Sequence, residues 1–478
     1  QLRLLRHPMH KLISNGARLA AVAAGAVFVS GCQIDRLVQA TDPDIIGVEL
    51  VTSPTAANAL RVGTLGRFNL ATTGGESMFL YGGLFGDEFG TGDTFTQRVE
   101  TDQRALTPQN GNITAAFREI HRPRISAIQS REALTQYAPL APAWNYSEMF
   151  FVEAYMVNLL AEYFCNGQPI SSIADGVETY GDPQPNAALF TLALAKVDSG
   201  LTRLGSTTGT NETRVRNSLN ILRARILLNQ GNFGAVAATV AAVPTTFTWN
   251  QEHSLTARTP GVWSLINNQR RYLVANNEGP LQMNFGTAND PRVPTCSVGQ
   301  AACTAVGLTT SRPFDSGNTA VPNMLYQLIW TTDASSVSLI NGLQARLYEA
   351  EALNRTGNFA GALAILNSLR ATPPGYGRTI AAMTPLADPG TEAGRRDLIF
   401  REKGFWLFGT GHRYPDMRRM MRQYGMTANQ VFPNGNTWQI NRAPGYGNDI
   451  VFRTPTAETF NPRVPQVNGE AQCIDLNP

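Results

Sequence analysis

Residues 348–359 read YEAEALNRTGNF, and the fold turns on how this stretch is read. Leu339, Leu343, Leu347 and Ala350 recur at steps of four, four and three, which places them on one face of a helix. Gly357 ends that helix, because glycine enters the left-handed backbone past a helix end without a steric penalty. Phe359, Ala362, Leu366 and Leu369 then begin a second stripe. The same unit occurs earlier in the chain. Val215, Leu219, Leu222 and Ile226 form a stripe, and LNQGNF at 228–233 turns the chain at Gly231. A short amphipathic stretch follows from Phe233 to Val243 and stops at Pro244.

The pattern G-N-F-x-x-A from Gly357 to Ala362, with Pro373 beyond it, is similar to a tetratricopeptide hairpin. Small residues there let two helices pack closely. Two hairpins are too few for a free-standing solenoid, so they must lean on other helices. One is at hand: SEMFFVEAYMVNLLAEYF, residues 147–164, is apolar on most sides and reads as a buried helix. Glu148, Glu153, Asn158 and Glu162 interrupt the run and argue against a membrane span. The expectation is a mainly α protein with a tetratricopeptide-like scaffold over 113–243 and 336–424. Long irregular insertions at 76–112, 244–335 and 425–478 are rich in Gly, Pro, Asn and Thr, and such loops are commonly functional. Residues 33–75 read as a polar tether and irregular lead-in, with 32–478 forming one domain.

From Met9 the chain reads MHKLISNGARLAAVAAGAVFVSGC, a basic start, an apolar run from Leu19 to Val29, then small residues. That order is a secretory signal, too short in its apolar part to span a bilayer. Ser30-Gly31 before Cys32 looks like a bacterial lipobox, in which the sulfur is lipidated and the chain is cut before it. Two or more acyl chains make a lasting membrane anchor. Translation is expected to start at Met9, with residues 1–31 absent from the mature protein.

Removing that segment changes the charge. Of 39 basic residues, Arg3, Arg6, Lys11 and Arg18 precede Cys32, leaving 35 against 36 acids. A nearly neutral surface gives no electrostatic case for nucleic-acid binding. Four further cysteines remain. Cys296 and Cys303 are spaced to close a small ring, which leaves Cys165 to pair with Cys473 in an oxidising compartment. No C-x-x-C pair occurs, and His121, His253 and His412 are far apart in sequence, so a zinc site is not indicated.

Residues 398–419, LIFREKGFWLFGTGHRYPDMRR, give an apolar helix broken at Gly409 and Gly411 and a second, basic helix with Asp416 near its start. This segment resembles the C-terminal pattern of the SusD-like (RagB-type) outer-membrane lipoproteins, approximately E-R-x-x-E-F-x-x-E-G-H-R-x-x-D-L-R-R. Arg401, Phe405, Gly411, His412, Arg413, Asp416, Arg418 and Arg419 fit it. Gly-Thr stands where the pattern has an acid before Gly-His-Arg, and Gly404 stands where it has its second glutamate. AYMVNLLAEYFCNGQPIS at 154–171, the two hairpin turns and NDPR at 289–292 also look like elements of the family, in the same order. The resemblance implies a role without a reaction. The protein would be anchored on the outer leaflet of the outer membrane, pair with a SusC-type TonB-dependent transporter, and deliver an oligosaccharide or peptide to it.

His412, Arg413 and Asp416 are read as structural, since no nucleophile motif such as G-x-S-x-G accompanies them. Asp290 and Arg292 are read as a turn tying the insertion to the scaffold. Ligand contacts are expected from loops that mix aromatic rings with polar groups. Two regions offer that mixture: Phe89, Phe95, Arg98 and Asp102 in 85–104, and Trp249, Trp263, Asn268 and Arg270 in 249–272. No cofactor is expected. Asp87, Glu88 and Asp93 offer calcium-type ligands but lack the spacing of a calcium loop. Two other functions compete: a periplasm-facing tetratricopeptide scaffold for membrane assembly, and a secreted glycan hydrolase using paired acids.

Overall fold

The structure, a computed structural model, describes residues 51–174, 177–314, 323–435 and 445–478. Cys32 and the leader lie outside the described residues. Helices follow one another in sequence and in space: α1 (Pro54–Ala71), α2 (Met78–Phe85), α3 (Thr96–Asp102), α4 (Gly111–Tyr137), α5 (Ala143–Tyr163), α6 (Asn186–Leu204), α7 (Thr210–Asn229), α8 (Val236–Val240), α9 (Gly342–Arg355), α10 (Phe359–Ala371), α11 (Glu392–Trp406) and α12 (Arg413–Tyr424). α1 packs on α4, α4 on α5, α5 on α6, and α6 on α7. The stack continues through α8 and α9 to α10. Among the described residues the sheets are two-stranded and short. No described helix is long and apolar enough to cross a membrane.

α5 is buried nearly all round, and its interrupting acids explain how helices gather about it. Glu148 takes Arg61 of α1 and Arg214 of α7, the latter at 2.6 Å. Glu153 takes Arg131 of α4 at 2.6 Å and Lys196 of α6 at 3.0 Å. Glu162 takes Arg225 of α7 at 2.7 Å. Apolar burial drives the stacking. The ion pairs fix which face of each neighbour meets α5, since a buried charge without its partner costs several kcal/mol (roughly 3–5).

The second hairpin forms as its sequence predicts. Asn341 and Asn358 cap α9 and α10, accepting from the Gln344 and Gly361 amides at 3.0 and 2.9 Å. Gly357 turns between them at φ 86°. The first hairpin is less regular. Its second arm is a 3-10 turn, Phe233–Ala235, running into the short α8 instead of a helix to Val243. Residues 336–424 begin with a strand, Val337–Asn341, before α9.

Two segmentations are corrected. Within 33–75, residues 54–71 form a full helix. Ser53 Oγ accepts from the Ala56 amide at 3.2 Å, Pro54 starts the first turn, and Ala57, Leu60, Thr64, Phe68 and Ala71 make one buried face. The region 76–112 is not a free loop either, since it holds α2, α3 and a strand. Its glycines serve close packing. A Cβ on Gly82 would lie 2.6 Å from the Tyr163 ring, and one on Gly83 2.4 Å from Phe89. Cys165 is bonded to Cys473 and Cys296 to Cys303.

Candidate functional site

The segment 398–419 forms the end of α11, a turn and α12, and its polar groups point inward. Gly411, at φ 73°, leaves no room for a Cβ, which would lie 2.2 Å from Phe79. Its carbonyl accepts from Tyr163 Oη and from Arg225, each at 3.0 Å. His412 is buried between Thr410 Oγ1 at 2.9 Å and Tyr348 Oη at 3.0 Å, with Arg225 at 3.2 Å. Burial, helped by the Arg225 charge, holds its pKa well below the ordinary histidine value, so the ring is neutral. Arg413 grips Asp87 with two bonds of 2.7 and 2.6 Å. Gly404, standing where the family pattern has a glutamate, has its Cβ position 2.5 Å from Met283, which leaves no room for a side chain there unless Met283 shifts.

A second knot lies beside it. Glu351 of α9 receives Lys403 at 2.7 Å and Arg419 at 2.6 Å, and Asp416 receives both of those cations at 2.7 Å. Burial alone would lift the Glu351 pKa, yet Arg419 and Lys403 pull it below the usual carboxylate range. Arg418 Nη1 donates to the carbonyls of Ala161, Glu162 and Phe164 at 3.2, 2.6 and 3.1 Å, capping the end of α5 where the helix dipole is negative. Arg401 alone of the eight pattern residues faces outward, donating to Asn284 at 2.6 Å. Asp290 holds Arg292, which also reaches Glu402 at 2.7 Å, so this turn does tie the insertion to α11. Apart from Arg401 and Asp290 these groups are buried, and the carboxylates Asp87, Glu351, Glu402 and Asp416 are each held by arginine or lysine, which makes them a lock for the fold.

The exposed site lies where β1 (Phe89–Thr91) and a strand at Tyr272–Val274 pair antiparallel, with Phe89 opposite Val274 and Thr91 opposite Tyr272. This pairing brings the 85–104 and 249–272 regions together at one edge. Asp93 is its centre, receiving Arg98 and Arg271 at 2.9 Å each and the Phe95 amide at 2.9 Å. Glu76 receives Arg98 Nη2 at 2.6 Å and Tyr272 Oη at 2.8 Å. Burial opposes the Arg98 charge, but the bonds to Glu76 outweigh it and raise its pKa. Two phenyl rings cover the guanidinium groups: Phe95 over Arg98 at 5.1 Å and Phe314 over Arg271 at 3.9 Å. They are 48% and 50% exposed. Arg270 stands beside them, at φ 57°, donating to the Arg312 carbonyl at 2.9 Å.

The other expected residues take different places. Phe89 is wholly buried against Phe408, with ring centres 5.3 Å apart, and Asp102 is buried with its carboxylate on the Thr91 amide at 2.7 Å. Both support the shelf from beneath and neither reaches a surface ligand. Trp249 packs on Phe151 at 4.9 Å under Arg214, as part of the core wall. Trp263 packs against the core at the start of the turn Trp263–Asn268, and Asn268 is exposed at its end, two residues before Arg270. Glu76, Arg271 and Phe314 were not singled out from sequence. Nothing local marks them, because the strand pairing that assembles them joins segments far apart in the chain. The calcium-type acids are taken separately: Asp87 by Arg413, Glu88 by the Gly409 amide at 2.8 Å, and Asp93 by its two arginines.

Among solved structures the chain is similar to a SusD superfamily protein from Bacteroides fragilis, with TM-score 0.61 and 14% identity. The match covers 87% of this chain and 99% of that one. A SusD-like carbohydrate binding protein from Bacteroides fragilis matches with TM-score 0.58 and 12% identity, over 77% of this chain and 86% of that one. A SusD superfamily protein from Bacteroides vulgatus matches with TM-score 0.55 and 12% identity, over 78% and 88%. No family model and no curated protein matches the sequence. The helical scaffold with its loop insertions is the SusD-like fold.

Proposed function

We propose, from the SusD-like fold, that this chain is a cell-surface lipoprotein that captures an oligosaccharide and hands it to a SusC-type TonB-dependent transporter. The observation that carries the reading is the pair of half-exposed rings, Phe95 and Phe314, held over a fixed cluster of Arg98, Asp93 and Arg271. A sugar ring has an apolar face for stacking and hydroxyls at its edge. A rigid aromatic shelf rimmed by charged groups offers both kinds of contact without paying to order itself on binding. Arg270 and Asn268 stand nearby to take hydroxyls. In this reading the protein binds without catalysis, needs no cofactor, and is held at the outer membrane by lipid on Cys32, facing outward.

The solved carbohydrate-binding relative of the same fold supports a glycan over a peptide. The direct test is calorimetric titration of the purified protein with a panel of neutral oligosaccharides, repeated with Phe95→Ala and Phe314→Ala. Saturable binding weakened by either change, with no product formed on prolonged incubation, is the expected result. Binding to peptides alone, or turnover of any glycan, would remove the proposal. Surface proteolysis of intact cells tests the orientation, and co-purification of a β-barrel tests the partner.

A further inference from the structure

Apart from the shelf, residues 374–380 fold against residues 329–341 and the end of α11 around a cleft of about 310 Å³, at the small end of the range for ligand pockets. None of the shelf residues lines it. Trp330, Tyr376 and Trp406 give it aromatic walls, and Ser335, Ser336 and Ser338 give it hydroxyls. Tyr376 is fixed in place, donating to the Thr245 carbonyl at 2.7 Å and accepting from the Leu343 amide at 2.8 Å.

Two charged residues line this cleft, Arg292 and Arg378. Arg292 is neutralised by Asp290 and Glu402, at 2.7 Å each, and the other oxygen of Glu402 goes to Arg370 at 2.8 Å. Arg378 differs. Its guanidinium makes one long bond, 3.3 Å, to the Arg292 backbone carbonyl, and among the described residues no carboxylate pairs with it. Burial lowers its pKa to about 10, which still leaves it charged at neutral pH. A guanidinium has five donors, and most of these are unspent.

We propose that this cleft binds a carboxylate-bearing saccharide, with the carboxylate on Arg378 and the sugar ring against the Trp330, Tyr376 and Trp406 walls. A planar fork matches a carboxylate with two parallel bonds. One unneutralised cation balances one negative charge, which favours a monoanion over a phosphate dianion. The aromatic walls and serine hydroxyls favour a sugar over a bare carboxylic acid. The inference does not depend on the shelf being a glycan site.

The test uses the purified full chain, with D-galacturonate, D-glucuronate and trigalacturonate as probes and carboxyl-reduced trigalacturonate as the neutral control. Binding is followed by tryptophan fluorescence and calorimetry. At least one uronate should bind saturably, with its neutral counterpart at least tenfold weaker. Arg378→Gln should weaken uronate binding at least tenfold, and Arg378→Lys should retain part of it. Failure of all three uronates, equal binding of the neutral control, or unchanged binding by a folded Arg378→Gln protein overturns the proposal. The acid-versus-neutral comparison on unaltered protein decides even if the variants do not fold. Neutral glycans lost with Phe95→Ala report on the shelf alone, so the two readings fail separately.

Discussion

The turn at Gly411-His412-Arg413 and the shelf at Phe95 and Phe314 are built from the same three kinds of group: arginine, carboxylate and aromatic ring. At the turn and in the helix after it, Arg413 meets Asp87 and Arg419 meets Glu351 in the interior. On the shelf Asp93 also joins two arginines, but the rings over them are half exposed. Composition therefore does not separate a lock from an exposed surface. Burial does, because it sets whether the groups are already satisfied by the protein or still face outward with area to share.

The comparison can be broken most sharply at Glu351. Glu351→Ala leaves Lys403 and Arg419 to share Asp416 as their one carboxylate in the core and is expected to cost about 3–5 kcal/mol in denaturant unfolding. A loss near zero would mean that the knot is not buried in solution. Glu88 offers an effect of opposite sign. Burial chiefly pushes its pKa from 4.5 up to about 8, against the Gly409 amide bond that lowers it. Between those values the unfolded chain releases a proton that the folded chain keeps, so stability falls as pH rises through that window. Glu88→Gln should match the parent near pH 4 and gain at most about 1.4 kcal/mol per pH unit toward pH 8. Parallel melting curves across that range would show the carboxyl to be ordinary.

On the shelf the expected effects are smaller and fall on a different measurement. Phe95→Ala should weaken glycan binding by about 1 kcal/mol, roughly fivefold in Kd, while the melting temperature stays put. A drop in melting temperature with unchanged affinity would make the ring a piece of local packing instead. The smallest effect belongs to the helix caps. Asn358→Ala removes the bond to the Gly361 amide and should cost about 1 kcal/mol of stability or somewhat less, leaving binding untouched.

The hairpin at 348–359 was legible because its signals are local: apolar steps of three and four, a glycine at the turn, an asparagine at the cap. The lock was legible as a motif, though its partners were not. Asp87 lies 326 positions from Arg413, and no periodicity connects them. Helix α1 was missed within a polar lead-in although Ser53-Pro54 is a helix start and Ala57, Leu60, Thr64 and Phe68 share a face. Glycines in 76–112 pointed to loop because they are flexible in isolation, whereas here they admit Tyr163 and Phe89. Half of the shelf was visible as aromatic and polar residues in loops. Which of them face outward depended on the β1 register, and that register is a property of two distant segments.

The bond between Cys165 and Cys473 closes a ring spanning 308 positions, with one end just past the end of α5. Tension applied to the chain on either side of that ring would pass across the sulfurs, bypassing the residues between them. Roughly 1,000 Å of chain would then be spared from stretching, at about 3.4 Å for each residue. Under such a pull the oxidised chain would give up only the residues outside the ring, and a reductant would be needed to release the rest.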